Sequence, residues 1–267
     1  MEIVNLYQAD EELLKHPVRL CTQDACDVMA FEEVQVEHTM EVFVNELHTF
    51  TIVCSPDHLV ELVLGRLLTQ GLISDADEVE SIYICQHATR ARVFLSGRSA
   101  DFGRQHVESV PSCCTGNRTL NSYFEGAEPP SKVTPIPWSR RWILTLARIF
   151  AQDTPLHRRT MGTHSCYLSV DEELLYCCED LGRHNAFDKV VGAALLDEVD
   201  LSQAVVYTSG RIPVDMVMKA IRSRVPVLVT KAVPTDATIQ LAREFDLTLI
   251  CQARPDSFKV FWDPIRL

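Results

Sequence analysis

The spacing of apolar residues changes character along the chain. Between residues 33 and 97, short apolar runs at 42–47, 79–84 and 91–95 read as strands of a small mixed unit. A helix is expected between the first two. Ser55 is its N-cap, Pro56 and Asp57 stand in its first turn, Leu59, Leu62, Val63 and Leu67 form its buried face, and Gly71 stops it. From residue 140 the pattern alternates regularly. A helix at 142–151 precedes apolar runs at 166–168 and 174–178, and a helix follows with Phe187, Val190, Val191, Ala194 and Leu195 on one side. Then come a strand at 204–207, a helix at 214–223, a strand at 226–229, a helix at 235–245 and a strand at 247–250. Strands alternating with helices of this length predict βαβ units and a largely parallel sheet. Residues 99–137 break both periods and carry Pro111, Gly116, Gly126, Pro129, Pro130, Pro135 and Pro137, which predicts a long mobile connection. The expected division is an α+β unit at 1–110, a cysteine-bearing loop at 111–138 and an α/β domain at 139–267.

Composition narrows what such a chain can do. With 46% hydrophobic and 23% charged residues over 267 positions it can bury a large core, and no apolar run approaches the ~20 residues of a membrane span. No cationic-then-apolar leader opens it, so a cytoplasmic location is expected, with no membrane partner. A net charge of −12 argues against a nucleic-acid partner, which needs a basic face. Ten cysteines stand at 21, 26, 54, 85, 113, 114, 166, 177, 178 and 251, none paired as C-x-x-C, so most read as small buried hydrophobes and no zinc site is expected. Cys54, Cys85, Cys177 and Cys178 fall in or beside apolar runs and read as core.

In an α/β sheet, ligands bind beyond the carboxyl ends of the strands. Four predicted strand ends present a cation there: Arg183-His184-Asn185, Ser209-Gly210-Arg211, Thr230-Lys231, and Cys251-Gln252-Ala253-Arg254. Guanidinium groups and free amides at helix starts suit a phosphate; the alternative is that these cations pair with Glu179, Asp180, Asp188 or Asp215. His164 and His184 lie close to the same ends, and His184 is the better ligand contact by its neighbours. In the polar connection, Cys113 and Cys114 are nucleophile candidates, because Arg104 and Arg118 could lower a thiol pKa; an inert pair is the competing reading.

The block from Glu179 through Arg183-His184-Asn185 to Leu195 resembles the formate dehydrogenase accessory sulfurtransferases, the FdhD family. Ser209-Gly210-Arg211, the 215–220 segment, Pro226, Pro234-Thr235, Gly162-Thr163-His164, and upstream Asn45, Pro56, Gly65 and Gly71 extend the likeness over nearly the whole chain. The resemblance implies a cytidine-deaminase-like three-layer α/β domain with a smaller N-terminal α+β domain, acting as a homodimer. It implies a sulfur carrier that takes persulfide sulfur from a cysteine desulfurase and delivers it to the molybdenum (or tungsten) bis-pterin guanine dinucleotide of a formate dehydrogenase catalytic subunit. The family's loop motif, Ser-Cys-Gly-x-Cys-Gly, places the persulfide on Cys113. Gly116 stands where the second family cysteine would be, so Cys114 is either its substitute or a bystander. The family's cofactor-contact segment maps onto Cys251, Gln252, Ala253, Arg254, Pro255 and Asp256, beside Ser209, Arg211, Lys231 and His184. The competing function is a cofactor-binding chaperone that transfers no sulfur.

Overall fold

The computed structural model describes residues 1–8, 13–24, 26, 28–97, 108–110 and 130–266. Its N-terminal part contains β1 (Glu2–Asn5), the strands β2 (Leu13–Leu20) and β3 (Val28–Gln35), β4 (His38–Val44), β5 (Leu47–Cys54), helix α1 (Leu59–Gln70), β6 (Val79–Ile84), β7 (Arg90–Leu95) and β8 (Glu108–Val110). β2 and β3 form a separate ribbon, and the other six strands make one sheet in the order β1-β6-β7-β4-β5-β8. The apolar run at 42–47 is therefore not one strand. Asn45 and Glu46, with φ of 47° and 65°, turn β4 back into β5, as a two-residue hairpin requires. The helix also starts later than expected. His58 is its N-cap, and the Ser55 hydroxyl is engaged elsewhere, donating to the Asp180 carboxylate at 3.0 Å and accepting from Lys189 at 2.8 Å. Gly71 closes α1 at φ 74°, as predicted. Strand β8 lies inside the stretch expected to be a connection, and Val133, Ile136 and Trp138 farther along are buried.

The second sheet follows α2 (Arg140–Phe150) and α3 (Pro155–Thr160). It is built from β9 (His164–Val170), β10 (Glu173–Asp180), β11 (Ala204–Thr208), β12 (Val227–Thr230), β13 (Thr248–Cys251) and β14 (Lys259–Trp262), ordered β10-β9-β11-β12-β13-β14. Helices α4 (Arg183–Leu196), α5 (Val214–Arg222) and α6 (Asp236–Glu244) link its strands. The sheet is mixed rather than largely parallel: β11, β12 and β13 run together, while β9 opposes β10 and β11, and β14 opposes β13. The physical reason is the Asp171-Glu172 turn, both residues at positive φ, which folds β9 and β10 into a hairpin.

Side chains alternate across this sheet and both faces are covered. Val205, Tyr207, Val227, Val229 and Ile250 pack with Trp142, Ile143, Leu146 and Phe150 of α2. Val206, Leu228, Leu249 and Cys251 join the core that holds Phe187, Met216 and Leu241 of the opposite helices. Strands buried on both faces read as continuous apolar runs, which is why they were legible. The same core continues through Leu62, Leu64 and Leu67 of α1 into Val42, Ile82 and Val93, so the two sheets share one interior. α1 and α4 meet at glycines. A Cβ on Gly65 would sit 1.9 Å from the Asp188 carbonyl oxygen, and one on Gly192 would sit 1.8 Å from that of Glu61.

The cysteines divide differently from expectation. Cys54 and Cys178 are buried, but Cys177 is exposed with Leu175 on the outer strand β10, and Cys85 is half-buried just past the end of β6. Cys21 and Cys26 are bonded to each other at the turn of the β2–β3 ribbon. Cys113, Cys114, Gly116, Arg104 and Arg118 lie outside the described residues. No helix among the described residues is long and apolar enough to cross a membrane.

Candidate functional site

Because β9 runs opposite to β11, its first residues share an edge with the carboxyl ends of the parallel strands; Cys166 pairs with Thr208. This brings the loop before β9 against the loop after β11. His164 Nδ1 lies 3.0 Å from Ser209 Oγ, which also accepts the Ser165 amide at 3.1 Å. Ser209 in turn donates its own amide to the Ser165 carbonyl at 2.9 Å. Arg183, the first residue of α4, reaches the same place by lying against Gly210, where a Cβ would stand 2.5 Å from Arg183 Cδ. Its Nε is buried and has no hydrogen-bond partner among the described residues. Lys231 follows β12 with its ammonium 5.4 Å above the Phe150 ring, and Arg254 donates to the Lys231 carbonyl at 2.8 Å. Thr230 Oγ1 ties the two loops together by donating to the Gly210 carbonyl at 2.7 Å.

The electrostatics of this edge are one-sided. His164 is pushed below its ordinary pKa by burial and then by the positive charges of Arg183, Lys231, His157 and His184. A half-buried imidazole, a hydroxyl and two cations, one opening α4 and one following β12, thus stand together on this edge, the kind of group that suits an anion.

The predicted residues separate on this frame. Ser209, Lys231 and Arg254 meet at the edge, with Gln252 held by its amide to Ala232 at 2.9 Å; Arg211, Pro255 and Asp256 are exposed. His184 is only 6% exposed, and its Nε2 lies 2.8 Å from Asp215 Oδ2 between α4 and α5. Cys251 is wholly buried and burial lifts its thiol to about 12; Ala253 is buried with its carbonyl accepting the Tyr207 hydroxyl. His164, not His184, is the histidine of the edge. The signal for it was the Gly162-Thr163-His164 run ahead of a strand.

Much of the block after β10 faces inward. Asp180 accepts from the Ser55 amide and hydroxyl, the Gly182 amide and Asn185 Nδ2, all between 2.9 and 3.1 Å. Lys189 lies 2.8 Å from both Asp180 and Asp57; burial opposes its charge, and the two carboxylates outweigh burial and hold its pKa above the ordinary value. Asp188 lies 2.6 Å from Lys219 and 3.2 Å from Arg66, and accepts from Thr69 at 2.7 Å. Glu179 accepts the Leu156 and His157 amides at the start of α3 and the hydroxyls of Thr154 and Thr163. These acids are the scaffold that aims Arg183 and the His164 loop. Sequence reasoning gave them no such role, although acids and lysines within an apolar helix were the available sign.

Histidine ionisation should leave a mark on stability. The folded pKa values of His164 and His184 lie below the ordinary 6.5, so between those values and 6.5 the unfolded chain binds more protons. Their contribution is intact above about pH 6.5 and is lost as pH falls through that window. His58, raised chiefly by its hydrogen bond to Asp57, acts oppositely and loses its contribution above 6.5. Thermal melts between pH 5 and 8 should show the acid-side loss shrink in His184→Asn; an unchanged acid limb would contradict this assignment.

Comparison with known proteins bears on the same residues. Residues 35–267 match the family model described as the FdhD/NarQ family. The chain belongs to that family. Among FdhD/NarQ relatives, "Sulfur carrier protein FdhD" of Bacillus licheniformis is 31% identical over 233 residues, covering 86% of this chain and 88% of that protein. The protein of the same name from Bacillus pumilus is 30% identical over 234 residues, with the same coverage. A crystal structure described as that of a formate dehydrogenase accessory protein from Desulfotalea psychrophila has a TM-score of 0.76 at 25% identity, covering 96% of this chain and all of that one. The matched FdhD/NarQ region includes every edge residue above and excludes the β2–β3 ribbon up to its last residue.

Proposed function

We propose that this chain is a sulfur carrier for a formate dehydrogenase. It takes persulfide sulfur from a cysteine desulfurase and passes it to a bis-pterin guanine dinucleotide complex of molybdenum or tungsten, which is its bound substrate. The observation that carries the reading is the convergence of Arg183, Lys231 and the His164–Ser209 pair on one strand edge, a seat suited to the pyrophosphates of such a ligand. The names of the relatives point the same way. The strand order β10-β9-β11-β12-β13, with only β9 reversed within it, favours a cytidine-deaminase-like description of the second sheet.

In the proposed loading step the Cys113 thiolate attacks the outer sulfur of the donor persulfide. A new S–S bond forms on Cys113, the donor's S–S bond breaks, and the donor cysteine leaves as thiolate, which takes up the persulfide proton through solvent. A homodimer and a cytoplasmic setting complete the proposal.

Intact-mass analysis after incubation with desulfurase and cysteine tests it. One added sulfur atom is expected on the wild type and none on Cys113→Ala. An adduct on neither cysteine would replace the carrier by the cofactor-binding chaperone, for which Gly116 in the place of the second family cysteine already speaks. The seat has its own test. Guanosine diphosphate should raise the Tm, as a ligand of the native state does, and Arg183→Ala should weaken its binding about tenfold, the loss of one charge-assisted contact. Equal protection of both proteins would move the seat elsewhere.

A further inference from the structure

His157 and His184 lie close enough to His164 to act on its charge, and hydrogen bonds decide which nitrogen of each ring carries hydrogen. His157 Nδ1 lies 2.8 Å from the Thr163 carbonyl oxygen, which can only accept, so the neutral ring of His157 holds its hydrogen on Nδ1. His184 has its Nε2 2.8 Å from Asp215 Oδ2. His164 differs from both. Its Nδ1 lies 3.0 Å from Ser209 Oγ, and that oxygen already accepts the Ser165 amide at 3.1 Å. A hydroxyl has one hydrogen to give. If His164 Nδ1 also donated, the Ser209 hydrogen would have no acceptor among the described residues; with Nδ1 bare, all three groups are satisfied. The backbone holds the pair in place. The Ser209 amide donates to the Ser165 carbonyl at 2.9 Å, and His164 stands in register with Asp180 of β10.

We infer that His164 is a hydrogen-bond donor of the anion edge through Nε2–H, and that Ser209 is the positioning residue that fixes this tautomer by donating to Nδ1. Nε2 has no partner among the described residues, and burial together with Arg183 and Lys231 keeps the ring neutral. The carboxylate that faces this loop, Glu179, is taken up by the Thr154 and Thr163 hydroxyls and the Leu156 and His157 amides. The two cations therefore supply charge and the imidazole supplies direction. A neutral N–H binds an anionic oxygen along one line and adds no third desolvated charge to the edge. The inference rests on the carrier reading for the ligand oxygen that accepts, and on the hydrogen bonds alone for the tautomer.

Long-range proton–nitrogen correlation spectra of the full chain with isotope-labelled histidine, at a pH well above 6.5, read the tautomer directly. His164, assigned by the loss of its signals in His164→Gln, should carry hydrogen on Nε2 and none on Nδ1. Ser209→Ala should turn this into a mixture of both forms. Hydrogen on Nδ1 in the wild type, or a ratio unmoved by Ser209→Ala, overturns the inference. Calorimetric titration with guanosine diphosphate reads the donor. A glutamine amide reaches the place of Nε2–H and an asparagine amide that of Nδ1. His164→Gln should therefore stay within about threefold of the wild type, while His164→Asn should weaken binding about tenfold. Equal losses from the two overturn the donor role. Ser209→Ala should weaken the wild type and add little in the His164→Gln background, because it acts through the imidazole. The same loss in both backgrounds would make Ser209 a ligand contact in its own right and overturn its positioning role. Failure of guanosine diphosphate to bind the wild type removes the seat and the donor role with it, whereas binding with Nδ1 protonated refutes this inference and leaves the seat. Sulfur loading on Cys113 is measured separately and tests the carrier reading by itself.

Discussion

Asp188→Ala is expected to lower unfolding stability by about 3–5 kcal/mol, the usual result of stripping one partner from a buried ion pair. The carboxylate is wholly buried between α1, α4 and α5, and Arg66 and Lys219 meet it from opposite helices. Removing it leaves two desolvated cations facing each other beside the Thr69 hydroxyl, which keeps only the longer bond to the Arg66 carbonyl at 3.3 Å. Against a total of about 5–15 kcal/mol, this is enough to unfold a marginal domain at growth temperature. Lys219 already reports the strain: burial pulls it down from 10.5 to about 8 in spite of Asp188. Between those values the folded chain binds fewer protons than the unfolded one, so this residue's contribution to stability rises as pH climbs from about 8 to 10.5. Urea denaturation with m unchanged and the midpoint lowered would check the mutant. A loss below about 1 kcal/mol would mean that water reaches the cluster and the pair is not a buried one. Replacing Asp188, Lys219 and Arg66 together by apolar residues of similar size should recover most of the loss, since the pairing itself adds little over good packing.

Gly192→Ala should be nearly as damaging for a steric reason. The added methyl would meet the Glu61 carbonyl oxygen at 1.8 Å and its carbon at 2.5 Å. Backbone atoms cannot swing aside, so α1 and α4 must part, and side chains packed along both helices lose contact. A cost of about 3 kcal/mol, the upper end of overpacking effects, is expected in thermal or urea melts. Gly65→Ala should behave alike, and the double variant should cost less than the sum because one separation relieves both clashes. Gly97→Ala is the control: its φ of 73° strains any side chain, yet nothing among the described residues lies within 4 Å, so only about 1–2 kcal/mol is expected. Equal effects at Gly97 and Gly192 would contradict the close helix crossing.

The elements after residue 140 were legible because their strands are buried on both faces and their helices carry a clear apolar stripe. Leu247 to Ile250 could be nothing but a core strand. The outer parts gave less. β2 and β3 mix Lys15, His16, Arg19, Glu32 and Glu33 with apolar residues on both faces, so no period of two marks them. The β9–β10 hairpin was missed because its turn is Asp171-Glu172, where glycine or asparagine would normally advertise positive φ. At the site, Ser209, Lys231 and Arg254 followed from the strand-end rule. His184 was chosen over His164 because it follows Arg183 directly among the strand-end cations, whereas His164 has no cation beside it in sequence. Only the reversed direction of β9 decides which one reaches Ser209, and direction is not written in a local pattern.

The contacts that join the two sheets also fix an order of events during synthesis. Ser55, Asp57, Arg66 and Thr69 find their partners at Asp180, Asp188 and Lys189, more than a hundred positions farther along. Until the ribosome has released that stretch, the face of α1 that meets α4 has nothing to settle on, and only its contacts with the first sheet can form. Long-range closure of this kind is slow, and a nascent chain truncated before residue 180 should stay protease-sensitive throughout its N-terminal half.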